Sequence, residues 1–239
     1  MNKGAVIIPA RYRSSRFPGK PLALINGKPM IQHVYEACAR AVLKSAVYVA
    51  TDDERIRRAV LDIGGQVIMT SERCLTGTDR LAEANRVLDL DFLVNVQGDE
   101  PMVSPNDIRR VFDLMKDDCS SVVNCFCDIS EQEKANPFVP KVVVSKSQRL
   151  LFMSRGGVPF DKTLVSHARY KQVCIYGFSR EHLKLFSSQT EKSSNELIED
   201  IEILRFLEND ISVKMLKVNG GSSAVDTPED LQYVSRLMS

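Results

Sequence analysis

The chain has 239 residues, of which 44% are hydrophobic and 26% are charged, and its formal net charge is +1. A charge so close to neutral argues against a general polyanion binder, so we expect no nucleic-acid partner, and any basic site must be local. A chain of this length buries one full core, with room for a smaller lobe.

The six cysteines are scattered along the chain, and their spacing fits neither a zinc site nor a redox pair. Cys125 and Cys127 fall on one face of a predicted strand, as small buried hydrophobes. We therefore expect all six thiols to be reduced, in a cytoplasmic protein. The N-terminus leads directly into a strand without a signal segment, and no apolar run approaches the length of a membrane span.

The first predicted element is a short apolar strand over residues 5–8, which is typical of the centre of a parallel sheet. The loop that follows it, from Arg11 to Lys20, contains four cations, two hydroxyls and Gly19. Such a loop at the carboxyl end of a strand favours phosphate binding. The alternative is a basic surface loop. The loop matches neither a Walker sequence nor a dinucleotide-binding glycine pattern.

Strands and helices then alternate. An Asn26-Gly27 turn precedes a helix over about 30–41, and further helices open after Thr51-Asp52-Asp53 and at Thr76-Gly77-Thr78-Asp79-Arg80. Apolar strands are predicted at 46–50, 66–69 and 92–96, and the last is followed by Gln97-Gly98-Asp99-Glu100. This alternation predicts a doubly wound α/β sheet, with its polar loops collected at the carboxyl ends of the strands, where such sheets bind ligands.

The second half of the chain continues without a repeat or a linker, so we expect one domain over 1–239. Its predicted helices lie at 107–115, 180–186, about 195–208 and after Thr227-Pro228, and its predicted strands lie at 121–126, 141–145, 150–153, 171–178 and 213–218.

Two carboxylates are candidate metal ligands. Asp99 follows an apolar strand directly, and Asp226 follows another strand much later. Carboxylates at strand ends hold divalent cations against phosphate oxygens. For Asp226 the start of a helix at Asp-Thr-Pro is an equally good interpretation.

The candidate cations divide into two groups. Arg11 and Lys20 fit a role on the β- and γ-phosphates of a nucleotide. Lys141 and Arg155 lie beside extended segments, and bidentate geometry favours Arg155 as the group that holds a substrate carboxylate. His182 is expected to be exposed, and no nucleophile pairing of Cys or Ser with His is found in the sequence.

Taken together, these motifs resemble the 3-deoxy-manno-octulosonate (Kdo) cytidylyltransferases, and the resemblance runs from end to end. The matching segments are the loop from Arg11 to Leu22, Asn26-Gly27-Lys28-Pro29-Met30-Ile31, Thr51-Asp52-Asp53, the segment from Thr76 to Glu83, the segment from Val94 to Pro101, and the segment from Val225 to Leu231.

The resemblance implies a nucleotide-diphospho-sugar transferase-like, Rossmann-like α/β fold with a mostly parallel sheet, helices on both faces, and a smaller sugar-binding and dimerisation lobe at about 136–205. The implied reaction joins CTP and a 3-deoxy-ulosonic acid to give the CMP-sugar and pyrophosphate, for a bacterial lipopolysaccharide or capsule. Mg²⁺ and a homodimer are implied in the same way, without a covalent enzyme intermediate.

The resemblance also implies roles for particular residues. Nucleotide contacts are implied at Ala10, Arg11, Ser14, Lys20, Thr76, Gly77, Thr78 and Asp99. Sugar contacts are implied at Arg80, Gln97, Arg155, Tyr176, Glu199 and Glu202. The catalytic set is Arg11, Lys20, Asp99 and Asp226, and the metal is implied to lie on Asp99 and Asp226.

Departures from the family pattern cluster on the sugar side. Gln172 and Cys174 stand where the family usually has His and Gly, and Ile203 stands where a glutamine is common. We therefore expect cytidylyl transfer and leave four alternatives for the acceptor sugar: Kdo, an amino-Kdo, a sialic-acid-type nonulosonate or another capsule sugar. A nucleotidyltransferase for another base or a sugar phosphate, and a nucleotide-binding regulatory module without catalysis, are the competing functions.

Overall fold

The computed structural model describes residues 2–13, 17–163, 166–220 and 223–239. Its strands are β1 (Gly4–Ala10), β2 (Leu24–Ile25), β3 (Lys28–Pro29), β4 (Val47–Thr51), β5 (Gln66–Met69), β6 (Phe92–Val96), β7 (Val122–Asp128), β8 (Lys141–Val144), β9 (Leu150–Ser154), β10 (Tyr170–Ser179) and β11 (Val213–Lys217). Its α-helices are α1 (Met30–Ala41), α2 (Glu54–Leu61), α3 (Gly77–Leu88), α4 (Pro105–Asp117), α5 (Glu131–Lys134), α6 (Arg180–Ser188), α7 (Ser194–Glu199), α8 (Leu204–Glu208) and α9 (Pro228–Leu237).

One mixed sheet organises the described residues, in the order β11-β7-β10-β6-β1-β4-β5. Strands β6, β1, β4 and β5 are parallel to their neighbours in this group, and β11 is parallel to β7. Strand β10 runs antiparallel between β6 and β7, and it also pairs with β8, which carries β9. The predicted doubly wound α/β sheet is therefore confirmed.

Side chains from the two faces of this sheet form two hydrophobic layers. Along β1, Val6 and Ile8 point into one layer with α1, α2 and α4, whereas Ala5 and Ile7 point into the other with α3, α6 and α8. This alternation follows from the two-residue period of a strand. A strand covered on both faces must be apolar throughout, which explains the continuous apolar run in β1. Helices on both faces were predicted and are confirmed.

The cysteines are part of this packing. Cys125 and Cys127 are buried in one layer, as expected for small hydrophobes on one face of β7. All six cysteines are free thiols, as predicted. Among the described residues, no helix combines the length and the apolar character needed to cross a membrane.

The predicted helix over 195–208 is wrong, because two short helices replace it. Asp200 ends α7 in the left-handed region, at φ 50°, and α8 begins only at Leu204. A buried ion pair joins the two pieces: Nε and Nη2 of Arg205 donate to the Glu196 carboxylate at 2.6 and 2.7 Å. The break turns the residues between the helices towards the cavity described below.

Candidate active site

A cavity of about 640 Å³ opens at the carboxyl ends of β1 and β6. Its lining combines residues from the ends of β1 and β6, residues from the start of α3 and the segment before it, and residues from the second half of the chain. The carboxyl ends of parallel strands meet at one edge of a sheet, so the sequence pattern placed these loops together. The predicted site residues in its lining are Ala10, Arg11, Lys20, Thr76, Gly77, Arg80, Gln97, Asp99, Arg155, Glu202 and Asp226.

The remaining predicted site residues are placed differently. Thr78, Tyr176 and Glu199 lie behind the lining, in the contacts described below. Ser14 lies outside the described residues.

Lys20 joins the two candidate metal ligands. Its Nζ lies 2.6 Å from Oδ2 of Asp99 and 3.1 Å from Oδ1 of Asp226, although the two carboxylates are far apart in the sequence. Burial by itself lowers the pKa of Lys20, but the charges and hydrogen bonds of Asp99 and Asp226 outweigh burial and leave the pKa above its usual value. The lysine is therefore a protonated cation between two carboxylates.

Local backbone geometry holds these three side chains in place. Gly19 precedes Lys20 with φ 72°, and its N–H donates to the Tyr12 carbonyl at 2.9 Å, which closes the basic loop. The N–H of Val225, beside Asp226, donates to the Asp99 carbonyl at 2.9 Å. This backbone hydrogen bond brings the two carboxylate loops together before any ligand binds.

The carboxylates of Asp99 and Asp226 fit a hard divalent cation. Both direct an oxygen at one cationic atom, the Lys20 nitrogen, which stands where a metal would lie. No group of three or more His, Cys, Asp or Glu side chains with metal-binding geometry occurs in the part of the chain that the structure describes. Mg²⁺ commonly takes one or two carboxylates and completes its shell with water and substrate phosphates, so this pair suits it.

Arg11 also lines the cavity and forms no ion pair within 4.0 Å with another described residue. Besides the hydrogen bond from Lys192, the charge of Arg11 helps to lower the pKa of Asp200. Beside Arg11, the Arg55 guanidinium stacks 3.3 Å from the centre of the Tyr12 ring, and Arg55 pairs with Asp53 at 2.7 Å. The predicted polar segment Thr51-Asp52-Asp53 therefore supports the basic loop from behind and is not part of the cavity lining.

Helix α3 begins at the cavity wall. Thr76 caps its first turn, and the Glu202 carboxylate accepts from the N–H groups of Gly77 and Thr78 and from the Thr78 hydroxyl, at 3.1, 3.0 and 2.5 Å. Burial raises the pKa of Glu202, against the effect of these hydrogen bonds. Glu202 thus occupies an anion position at a helix N-terminus, which is where a ligand anion would otherwise bind.

Arg80 is a buried ion-pair residue at the edge of the cavity. Only 3% of it is exposed, and its guanidinium donates to Asp52 at 3.0 Å and to the Thr70 hydroxyl. Its partner Asp52 belongs to the polar segment after β4, so Arg80 links that segment to α3.

Arg155 is hydrogen-bonded to backbone carbonyls. The guanidinium atoms Nε and Nη2 donate to the backbone carbonyls of Glu199 and Asp200 at 2.6 and 3.1 Å. The backbone N–H of Arg155 donates to the Glu199 carboxylate at 2.8 Å. Lys141, the other candidate cation, donates to the Arg155 carbonyl at 2.9 Å, and burial lowers its pKa. These contacts make Arg155 a brace between β9 and the end of α7.

Tyr176 lies beneath the cavity, next to an irregularity in β10. The register between β10 and β7 shifts between Val173 and Tyr176, and the Asn124 side chain donates to the carbonyls of Val173 and Ile175 at 3.2 and 3.0 Å. Gln172 then donates to Asn124 and to the Tyr176 hydroxyl at 3.1 and 3.0 Å. Burial raises the pKa of Tyr176, so this hydroxyl stays protonated.

Three lining residues with ionisable side chains were not predicted as site residues from the sequence. Lys192 and Asp200 form an ion pair at 2.6 Å, and the hydrogen bond from Lys192 lowers the pKa of Asp200. The turn at Asp200 that brings them to the cavity has no signal in the sequence. Cys74 is the third, and burial raises its pKa to about 12, so it is not a nucleophile near neutral pH.

The chain matches the model of a family described as cytidylyltransferase over residues 5–215. It is 42% identical over 240 residues to the 3-deoxy-manno-octulosonate cytidylyltransferase of Escherichia coli, covering 100% of this chain and 97% of that one. It is also 40% identical to the 8-amino-3,8-dideoxy-manno-octulosonate cytidylyltransferase of Shewanella woodyi, covering 95% of each chain.

A solved structure supports the same relationship. The chain superposes on CMP:2-keto-3-deoxy-manno-octonic acid synthetase complexed with CTP with a TM-score of 0.88 and 41% identity, covering 99% of this chain and 98% of that one. At this similarity, both the fold and the order of the cavity loops are shared along nearly the whole chain.

Proposed function

The chain belongs to the cytidylyltransferase family, and from that premise we propose that it transfers the cytidylyl group of CTP to a 3-deoxy-octulosonic acid. The products are the CMP-sugar and pyrophosphate. The observation that carries the proposal is that Arg11, Lys20, Asp99 and Asp226 line one cavity, in which Lys20 bonds to both carboxylates.

The proposed reaction is one in-line displacement at phosphorus. The anomeric hydroxyl of the acid forms a bond to the α-phosphorus and releases its proton, while the bond from this phosphorus to the bridging oxygen breaks and pyrophosphate leaves. Arg11 and Lys20 hold the triphosphate and offset the charge that develops on the leaving group. Because the displacement is direct, the chain needs no nucleophile, in agreement with the raised pKa of Cys74.

We assign Mg²⁺ to Asp99 and Asp226. When bound, it supplies charge stabilisation on the phosphate oxygens and aligns the attacking oxygen. The two carboxylates would hold it from the protein side, and the hydrogen bond from the Val225 N–H to the Asp99 carbonyl holds their two loops together.

The identity of the acceptor sugar needs a separate argument, because relatives named for Kdo and relatives named for its 8-amino form match this chain almost equally well. We propose Kdo as the acceptor, with amino-Kdo as the second candidate. The observation that favours the amino sugar is Asp200, whose carboxylate lies in the cavity lining and already binds one ammonium group, that of Lys192, so the ammonium of an amino sugar would share or replace this partner.

An acceptor panel tests this choice. Kdo, 8-amino-3,8-dideoxy-manno-octulosonate and a sialic-acid-type nonulosonate are each supplied with CTP and Mg²⁺, and pyrophosphate release is measured. Higher kcat/KM for Kdo supports the first candidate, and a preference for the amino sugar that Asp200→Asn removes supports the second. Turnover of the nonulosonate alone would contradict both.

A second panel tests the nucleotide. CTP, UTP, GTP and ATP are compared with the preferred acceptor, and we expect CTP to be used best. Preference for another base would favour a different nucleotidyltransferase of the same fold. Nucleotide binding without turnover of any acceptor would favour a regulatory module that has lost catalysis.

We also propose a homodimer formed through the lobe at about 136–205. Its support is a set of exposed apolar side chains on β9 and α7, of which Ile198 is 81% exposed and Leu197 is 66% exposed. Leu151 and Phe152 of β9 are exposed at 50% and 37%. Light scattering after size exclusion tests this. We expect a dimer that Ile198→Glu weakens, and a wild-type monomer at all concentrations would refute it.

The cellular setting is part of the same proposal. Free thiols are typical of a reducing compartment, so six of them support a cytoplasmic enzyme. An activated 3-deoxy-octulosonic acid is a donor for bacterial surface polysaccharide, which we propose as the destination of the product. Deletion of the gene, followed by analysis of extracted polysaccharide for this sugar, tests the assignment.

A further inference from the structure

The Lys20 ammonium occupies the position between the Asp99 and Asp226 carboxylates. Its Nζ is 2.6 Å from one and 3.1 Å from the other, and only 13% of the lysine side chain is exposed. A divalent cation bound by both carboxylates would lie about 2.1 to 2.5 Å from each oxygen, in the space that the nitrogen fills. The ammonium and the metal therefore exclude each other.

Without nucleotide, the described residues supply too few ligands to the metal to offset the ion pairs that are lost when it displaces Lys20. Apart from Asp99 and Asp226, the described residues place no further carboxylate, imidazole or thiolate in a metal-binding group with them. The missing ligands must come from water or from the phosphates of the nucleotide. Metal binding without nucleotide would leave an incomplete shell and an ammonium without its counterions.

The nucleotide removes both obstacles. A triphosphate supplies oxygens to the metal and gives Lys20 a new anionic partner, and Arg11 in the lining of the same cavity attracts it. Only the lysine side chain has to move, because the surrounding backbone is tied down. Gly19 N–H donates to the Tyr12 carbonyl at 2.9 Å, and Ala23 N–H donates to the Lys20 carbonyl at 3.1 Å.

We propose that Lys20 blocks the metal site in the nucleotide-free protein and leaves it for the triphosphate when nucleotide binds, so that metal and nucleotide bind as a coupled pair. Coupling of this kind is reciprocal: nucleotide raises the affinity for metal by the same factor by which metal raises the affinity for nucleotide. This inference rests on the proposed function for the identity of the nucleotide. The competition between ammonium and metal needs no substrate.

Mn²⁺ titration of the full chain tests the competition directly, with free Mn²⁺ measured by electron paramagnetic resonance. In the absence of nucleotide, we expect Lys20→Met to bind Mn²⁺ at least about tenfold more tightly than wild type, since a charge-assisted pair no longer has to be broken. Lys20→Arg keeps a cation between the carboxylates and should remain weak. Lys28→Met, which removes a lysine paired with Glu36 outside the cavity, is the matched control.

Repeating the Mn²⁺ titration in the presence of nucleotide measures the coupling between metal binding and nucleotide binding. With a CTP analogue carrying a methylene group between the α- and β-phosphorus, wild type should gain Mn²⁺ affinity by about tenfold or more, and Lys20→Met should gain less. Unchanged or weaker Mn²⁺ binding by nucleotide-free Lys20→Met would overturn the inference, even if wild type turns over CTP. Tighter binding by that variant together with no CTP binding by wild type would uphold the competition and refute the proposed function.

Loss of the lysine leaves two carboxylates close together, so the fold of the variant must be checked. Lys20→Gln is the second variant, because its amide still donates a hydrogen bond to one carboxylate. For both variants we expect Mn²⁺ to raise the melting temperature, and for wild type we expect no rise without nucleotide. An equal rise in wild type would overturn the inference independently of the affinities.

Discussion

The two sides of the cavity use their charged residues in opposite ways. On the proposed nucleotide side, Lys20 pairs with both Asp99 and Asp226 at the cavity surface, and Arg11 forms no ion pair with another described residue. On the proposed acceptor side, the side chains of Arg80, Arg155, Glu199 and Glu202 each form hydrogen bonds to the surrounding protein. The first group is available for ligand charges, whereas the second builds the wall that shapes the cavity.

This difference changes how the predicted sugar-site residues are interpreted. A side chain whose donors or acceptors are already bonded acts on a ligand mainly by holding other groups in place. Glu202 fixes the start of α3, and Glu199 accepts from the Ser154 hydroxyl at 2.6 Å and fixes β9. Substitutions on the proposed nucleotide side should therefore lower the reaction rate. Substitutions on the proposed acceptor side should lower both the stability of the fold and the affinity for the acceptor.

Asp99→Asn should give the largest effect. The amide keeps the shape of the side chain but loses the charge that holds Lys20 and the metal. We expect kcat/KM to fall about 10³-fold or more, with little change in the melting temperature. Steady-state pyrophosphate release and circular dichroism melts measure the two quantities. Asp128→Asn, at a carboxylate paired with Lys217 outside the cavity, is the control, and unchanged turnover in Asp99→Asn would remove Asp99 from the metal site.

Arg11→Gln should give the next largest effect. The guanidinium forms no ion pair with another described residue, so its loss should weaken triphosphate binding without unfolding the loop. We expect kcat/KM for CTP to fall about 100-fold and the acceptor KM to stay nearly constant. Arg13→Gln, which removes an 86% exposed arginine paired with Glu72, should change little. A larger effect on the acceptor KM than on CTP would break the division between the two sides.

Arg155→Met tests the acceptor side. The substitution keeps much of the apolar stem but removes the hydrogen bonds to the carbonyls of Glu199 and Asp200. We expect a loss of about 2 kcal/mol in the free energy of unfolding, together with a higher acceptor KM and an unchanged CTP KM. Urea unfolding and steady-state kinetics measure these effects. A raised acceptor KM with full stability would instead make Arg155 a direct ligand of the substrate carboxylate, as the sequence alone favoured.

The same contrast explains what the sequence could predict. On the proposed nucleotide side, the signals are local. Alternating strands and helices predict parallel strands, and polar residues directly after an apolar strand then lie at the carboxyl edge of the sheet, which placed Arg11, Lys20 and Asp99 there. On the acceptor side, the geometry depends on contacts between distant segments. Asn124 filling the irregularity in β10, and the turn at Asp200 that splits the predicted helix, have no local signature.

His182, which lies in α6 outside the lining of the cavity, provides the smallest expected effect. The sequence predicted an exposed residue, but its Nδ1 lies 2.9 Å from the Ser179 hydroxyl in the cap of α6, and its ring packs edge-on against Phe206 of α8. Burial lowers the pKa of His182 below its ordinary 6.5, although Glu181 opposes this. The unfolded chain therefore binds the proton more tightly than the folded protein does.

It follows that the contribution of His182 to stability is complete above pH 6.5 and is lost as the pH falls through 6.5 towards the lower folded pKa. His182→Gln keeps an acceptor for the capping box but does not titrate. Between about pH 7.5 and about pH 5.5, wild type should lose about 0.5 kcal/mol or less relative to His182→Gln in urea unfolding. A constant difference between the two proteins over this range would contradict the assignment.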